Sequence, residues 1–217
     1  MNPMRKMAVT TAGAMLAMIT AGFAALGVLP EGQALPIHWG ISGEADGWMP
    51  AHLAIWVMPL TVLATAAILG AATHFEPEVD GEKRSGIAIR VIWPAMLVLF
   101  GVVQLMIVAP AFGWNLSLMA VELALGVLFI VTGNVLPKTR PGLVVGVRLP
   151  RTLANTDNWI ATHRFAGRCM ITAGALVIVL ALAVPAYAGL RTAFIVAATL
   201  AAGLAPVIYS WRYSKKA

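Results

Sequence analysis

Long apolar runs separated by short polar segments dominate this 217-residue chain. They fall at about 7–29, 51–73, 87–110, 115–136, 168–188 and 190–209. Each is close to the ~20 residues that an α-helix needs to cross a ~30 Å hydrocarbon layer at 1.5 Å per residue. Their interiors are built from Leu, Ala, Val, Ile and Met. Pro59, Pro94, Pro185 and Pro206 lie within them, and bundled membrane helices tolerate such breaks. The pattern predicts an all-α, polytopic membrane helix bundle of about six transmembrane helices.

Composition removes the alternative of a soluble domain. Hydrophobic residues make up 60% and charged residues 11%, with a mean hydropathy of +0.85. A soluble surface needs about 25% charged residues. The formal net charge of +6 comes from basic residues set in short clusters between apolar runs. That is the pattern of membrane topology rather than of a basic face, so no direct nucleic-acid partner is expected.

The clusters also orient the chain. With the amino terminus inside, the inner segments hold every Lys and Arg except Arg191. The positive-inside rule therefore predicts that both termini face the cytoplasm, in a multi-pass protein of the bacterial inner membrane. The first run follows Arg5-Lys6 and resembles a signal peptide. Its apolar stretch, about 22 residues, exceeds the 7–15 of a signal core, so a retained anchor is expected. Cys169 is the sole cysteine, which excludes an intrachain disulfide and a CxxC metal site.

Two connections carry unusual chemistry. The loop 30–50, assigned to the outside, includes LPIHWGISGEADGWMP over 35–50. Its glycines and prolines force turns, so it should be compact and structured. Trp39 and Trp48 suit the membrane interface. His38, Glu44, Asp46 and His52 have metal-ligating chemistry, but their spacing matches no ligand signature, and turn hydrogen bonding is the simpler role. No metal or other cofactor is expected.

The inner segment 137–167 follows the fourth run. Leu143–Leu149 reads as a short extended stretch ended by Pro150. Asn155 or Thr156 is placed to cap a helix starting near Asp157. On that helix Trp159, Ile160, His163 and Ala166 would share one face, while Arg164 and Arg168 form a basic stripe. This predicts an interfacial amphipathic helix, serving either anionic-lipid anchoring or docking of a protein partner.

Within the spans, Glu122 is the one deeply placed carboxylate and Gln104 its expected partner, at similar depth across the hairpin of the third and fourth helices. A hydrogen-bonded helix contact and an ion or proton relay both fit such a pair. No nucleophile with a base on the same face appears, so a catalytic residue is not expected and the chain is not read as an enzyme.

The inner segment resembles the signature of the SdpI family of bacterial membrane immunity proteins: a GN-x-x-P, then G-I/V-R-T-P-W-T-L, then a Trp and T-H-R. Gly133, Asn134, Pro137, Gly146, Val147, Arg148, Pro150, Thr152, Leu153, Asn155, Trp159, Thr162, His163, Arg164 and Gly167 stand in matching positions. Leu149 and Arg151 depart from the usual Thr and Trp. Leu35, Pro36, His38, Trp39, Gly43, Asp46, Gly47 and Trp48 are similar to a domain of unknown function that often precedes the SdpI region. The resemblance implies an amino-terminal two-helix region (1–75) followed by an SdpI-like four-helix region (87–210). It also implies immunity to a secreted toxic peptide, with signal relay to a transcriptional repressor as a further family role. His38, Trp39, Gly43, Asp46 and Trp48 become candidates for intercepting the peptide. Asn134, Pro137, Arg148, Pro150, Asn155, Trp159, His163 and Arg164 become candidates for an inner partner. A small transporter or ion-pathway protein using Glu122 and Gln104 is the alternative. The toxin's identity and the oligomeric state are not encoded in these patterns.

Overall fold

A computed structural model of the chain describes residues 3–79, 82–142, 144–184 and 187–213. Leu143, Pro185, Lys215 and Lys216, which entered the sequence reading, lie outside them.

Helix α1 spans Pro3–Val28 and is followed by a hairpin of β1 (Ala34–Trp39) and β2 (Ala45–Pro50). The turn α2 (Ala51–Ala54) leads into α3 (Val57–His74), and a two-residue ribbon, β3 (Glu78–Val79) with β4 (Glu82–Lys83), precedes α4 (Gly86–Val108). Next come α5 (Met119–Val135), the short α6 (Pro150–Ala154), α7 (Thr156–Ala183) and α8 (Ala188–Tyr213). Among the described residues, six helical stretches are long and apolar enough to cross a membrane: Met4–Val28, Ala51–His74, Gly86–Phe112, Met119–Lys138, Thr156–Ala183 and Ala188–Tyr213. Large apolar side chains such as Leu16, Leu60, Val98, Val179 and Leu200 point outward from them. Such a surface requires lipid as its solvent, and the molecule is an all-α multi-pass membrane bundle.

The helices form two joined groups. Helices α1, α3 and α4 pack around Met7, Met18, Val62, Ile89, Trp93 and Leu97. Trp93 is buried, and its indole N–H donates to the Thr11 hydroxyl at 3.0 Å, satisfying the one polar atom of that ring. Helices α5, α7 and α8 pack around Phe129, Ala173 and Ala202, and α4 also packs against α5.

The tightest approach is between α5 and α7. A Cβ on Gly133 would lie 2.6 Å from the Gly167 carbonyl oxygen, and one on Gly167 would lie 2.6 Å from that of Gly133. Seven residues earlier in α5 and seven later in α7, Gly126 and Gly174 face each other in the same way, at 2.9 and 2.5 Å. Lipid tails give two helices no hydrophobic reason to associate, so close backbone packing supplies the attraction. The two reciprocal glycine pairs allow it.

The connections gather at two ends. At one, the hairpin lies against the α4–α5 and α7–α8 connections: Gly43 faces Leu118 and Ala188. At the other, the Arg84 guanidinium donates to the Pro141 carbonyl at 2.7 Å, and Asn158 donates to the Ser210 carbonyl at 3.4 Å. The first is the hairpin end and the second the basic end.

Two expectations change. First, Thr156–Ala183 is one unbroken helix, not an interfacial helix that turns into a span at 168. Nothing between them breaks the backbone: Gly167 is helical and is used for close packing rather than for a turn. Second, Trp159, His163 and Ala166 are buried, but Ile160 is 38% exposed. The buried face runs through Thr162 instead. The loop 30–50 is structured, as expected, and takes the form of a paired β-hairpin with irregular register around His38.

Candidate functional site

The hairpin end is built on Leu35, which is buried among Ala25, Ala51, Ala54, Ile55 and Ile107 and so fixes β1 to the helix ends. Within the turn, the Gly40 N–H donates to the Glu44 carbonyl and the Gly43 N–H to the Gly40 carbonyl, both at 2.9 Å. Gly43 has φ +84°, a left-handed conformation that glycine adopts without a Cβ penalty. His38 Nδ1 lies 2.5 Å from Asp46 Oδ1 across the hairpin. Both side chains are more than half exposed, at 71% and 54%, so the contact orients the strands and adds at most about 1 kcal/mol. His38, Glu44, Asp46 and His52 do not converge: among the described residues no three His, Cys, Asp or Glu groups are arranged to hold a metal ion.

Trp39 and Trp48 instead face a cavity of about 500 Å³ between the hairpin and the α4–α5 connection. Pro36, Gly43 and Glu44 from the hairpin and Pro110, Trp114 and Asn115 from the connection are also part of its wall. Trp48 is 58% exposed and Trp114 is 62% exposed. Three indoles and an exposed carboxylate around one recess suit an amphipathic ligand with an apolar face and a cationic group. Of the sequence candidates, His38 and Asp46 stand on the hairpin beside this cavity, while Trp39, Gly43 and Trp48 line it. Trp114 was not anticipated. The signal for it was present, since a Trp just beyond the end of an apolar run is an interface residue.

Glu122 and Gln104 do not meet. Glu122 pairs with Arg191, whose Nε lies 2.9 Å from Oε2 and 3.1 Å from Oε1, and both side chains are almost wholly buried. Arg191 also donates to the Val184 carbonyl at 3.3 Å. Helix α5 begins at Met119, so Glu122 occupies its first turn, where the positive end of the helix favours a carboxylate. Gln104 is buried in the other helix group, and its amide donates to the carbonyls of Met18 and Ile55, both at 3.3 Å. Gln104 therefore ties α4 to α1 and to the turn preceding α3. The single basic residue that orientation counting left on the hairpin side is the counter-ion of the single intramembrane carboxylate.

The basic end contains a second built region, over the first turns of α7. Asn155 caps this helix, its side chain accepting from the Asn158 N–H at 2.9 Å. Trp159 and His163 are fully buried and stacked, with ring centroids 3.9 Å apart. The Trp159 indole donates to the Thr139 carbonyl at 3.0 Å. His163 Nδ1 lies 2.8 Å from the Trp159 carbonyl and must donate to it, while Nε2 accepts from the Val147 N–H at 2.9 Å. This arrangement requires the neutral imidazole with its proton on Nδ1. Gly146, at φ +129°, crosses directly over the two rings, and a Cβ there would collide with His163 Nε2. Thr152 closes the segment: its hydroxyl accepts from the Leu149 N–H at 2.9 Å and donates to the Val147 carbonyl at 2.6 Å.

Glu76 joins the α3–α4 connection to this region. It is buried, accepts from the Ser85 N–H at 2.9 Å and from the Ser85 hydroxyl, and lies against Gly142. Sequence reasoning missed it, because it begins an acidic run that reads as solvated. Pro137 packs against Gly167, and Asn134 is exposed at the end of α5. Arg148, Pro150 and Arg164 are exposed at the surface of this end. Arg151, where Trp is usual, lies 4.2 Å from the centroid of the Trp211 ring of α8.

Known proteins share these regions. Residues 138–210 match the SdpI/YfhL protein family, and residues 13–63 match a domain of unknown function, DUF1648. The chain is 22% identical over 153 residues to the immunity protein SdpI of Bacillus subtilis (strain 168), a similarity covering 70% of each chain. No solved structure matches it significantly.

Proposed function

We propose that this chain, whose carboxy-terminal region belongs to the SdpI/YfhL protein family behind a DUF1648 region, is a non-catalytic immunity protein of the bacterial inner membrane. Both termini lie in the cytoplasm, as the distribution of positive residues favours. The hairpin end then faces outward and meets a secreted, membrane-active toxic peptide. The observation that carries this reading is the three-tryptophan cavity between the hairpin and the α4–α5 connection. Its indoles suit the apolar face of such a peptide, and Glu44 suits a cationic group on it. At the cytoplasmic end, the exposed Arg148 and Arg164 beside the Trp159–His163 junction present a surface for a protein partner, with a transcriptional repressor as the family's implied example.

The relay reading of Glu122 with Gln104 loses its basis, because each holds different partners in a different helix group. The test is protection. Expression in a peptide-sensitive bacterium should raise the inhibitory concentration of at least one peptide in a panel of secreted membrane-active peptides. Trp39→Ala with Trp48→Ala should remove that protection at unchanged membrane abundance. No protection across the panel, or full protection by the double variant, would overturn the proposal.

A further inference from the structure

Helices α7 and α8 leave an open groove of about 410 Å³ between them, lined by Phe165, Arg168 and Leu176 of α7 and by Ala198, Ala201 and Ala205 of α8, among others. The short alanine side chains leave the space, and the exposed Leu176 and Ala201 show that it opens toward lipid. Towards the basic end the Phe165 ring is held in place by stacking on Tyr209, with centroids 4.7 Å apart. Arg168 stands beside it, exposed and inside the span Thr156–Ala183. A guanidinium at that level needs a counter-charge, and its flexible stem lets it reach the headgroup phosphates. None of the residues lining the groove is acidic, and among the described residues no carboxylate pairs with Arg168. Leu176 lies eight residues beyond Arg168, about 12 Å along the helix. Half of a ~30 Å hydrocarbon layer is about 15 Å, so the apolar part of the groove spans most of one leaflet.

We infer that this groove binds one anionic phospholipid, its phosphate on Arg168 and an acyl chain along the alanines of α8 towards Leu176. The charge stands at the end of the groove nearer the headgroups and the apolar wall at the end nearer the bilayer centre, which is the polarity of a phospholipid. A zwitterionic headgroup brings its own cation to Arg168 and loses most of that attraction. The groove shares no residue with the tryptophan cavity and does not depend on the immunity reading.

Native mass spectrometry of the full chain released from detergent micelles tests this, titrated with phosphatidylglycerol or phosphatidylethanolamine of identical acyl chains. The first phosphatidylglycerol should bind about fivefold more tightly, as one cation near the headgroups provides. Arg168→Ala should abolish that preference and leave phosphatidylethanolamine binding unchanged, while Arg168→Lys should keep it. Ala201→Leu fills the groove from its exposed side and should weaken both lipids severalfold at an unchanged unfolding midpoint. Arg5→Ala, a cation of the other helix group, should have no effect. Cys169, which also lines the groove, reports the location: phosphatidylglycerol should slow its alkylation by N-phenylmaleimide more than phosphatidylethanolamine does. Equal affinity for the two lipids overturns the inference, as does a preference that survives Arg168→Ala or falls equally on Arg5→Ala. Alkylation of Cys169 at one rate with either lipid overturns it too. Dimers that Ala201→Leu abolishes, without any lipid preference, would assign the groove to a second copy of the chain instead.

Discussion

Gly146→Ala adds one methyl group where the chain crosses the stacked Trp159 and His163 rings. The backbone there has φ +129°, which an L side chain adopts only at a cost of about 1–3 kcal/mol. The methyl would also collide with His163 Nε2. Relieving that collision separates the Val147 N–H from its 2.9 Å acceptor and leaves buried groups unpaired, costing about 1–3 kcal/mol more. Together the effects destabilise the closed form of this region by about 2–6 kcal/mol. The six helices pack elsewhere, so the loss should be local. Hydrogen exchange read by mass spectrometry over 139–153 should show protection reduced at least about thirtyfold, with α1 and α4 unchanged. Gly101→Ala is the control, because its Cβ meets nothing within 4 Å and a helical alanine is favoured over glycine. Unchanged exchange over 139–153 in Gly146→Ala would refute the reasoning. So would equal acceleration across every helix.

Other consequences follow from the same contacts. Arg191→Ala should lower detergent-solubilised thermal stability by about 3–5 kcal/mol, because it leaves Glu122 buried without its counter-ion, and adding Glu122→Gln should recover much of that loss. A single variant as stable as the parent would contradict the pairing. Gly133→Ala should force α5 and α7 apart by a few tenths of an ångström or more and cost about 1–3 kcal/mol, seen as a lower unfolding midpoint. Gly13→Ala, whose Cβ has open space around it, should leave the midpoint unchanged or slightly raised.

Much of this fold was legible because a bilayer demands about 20 apolar residues per crossing, and the chain supplies six such runs. The start of α7 was not legible from hydropathy. Asp157, Arg164 and Arg168 make 156–168 look like a surface helix, yet helix continuity depends on the backbone, and no proline interrupts it. The hairpin was legible as a turn but not as paired strands, because Pro36 and three glycines obscure the alternation of Leu35, Ile37 and Trp39. The Glu122 partner was not legible from depth along the α4–α5 hairpin, because it comes from α8. Arg191, 69 residues away, was already marked as the lone basic residue on that side. The four reciprocally paired glycines of α5 and α7 also carried a signal in their seven-residue spacing on both helices. Gly133 and Gly167 stood out through family resemblance alone, and their reason is the 2.6 Å approach to each other's carbonyls.

The account rests on the tryptophan cavity facing the side from which a secreted peptide arrives. Ser42→Cys, placed in the exposed hairpin turn in a Cys169→Ser background, measures this directly with a membrane-impermeant maleimide. Intact cells should label Ser42→Cys and leave Thr156→Cys unlabelled until the membrane is permeabilised. Labelling of Thr156→Cys in intact cells, with Ser42→Cys protected, would contradict it.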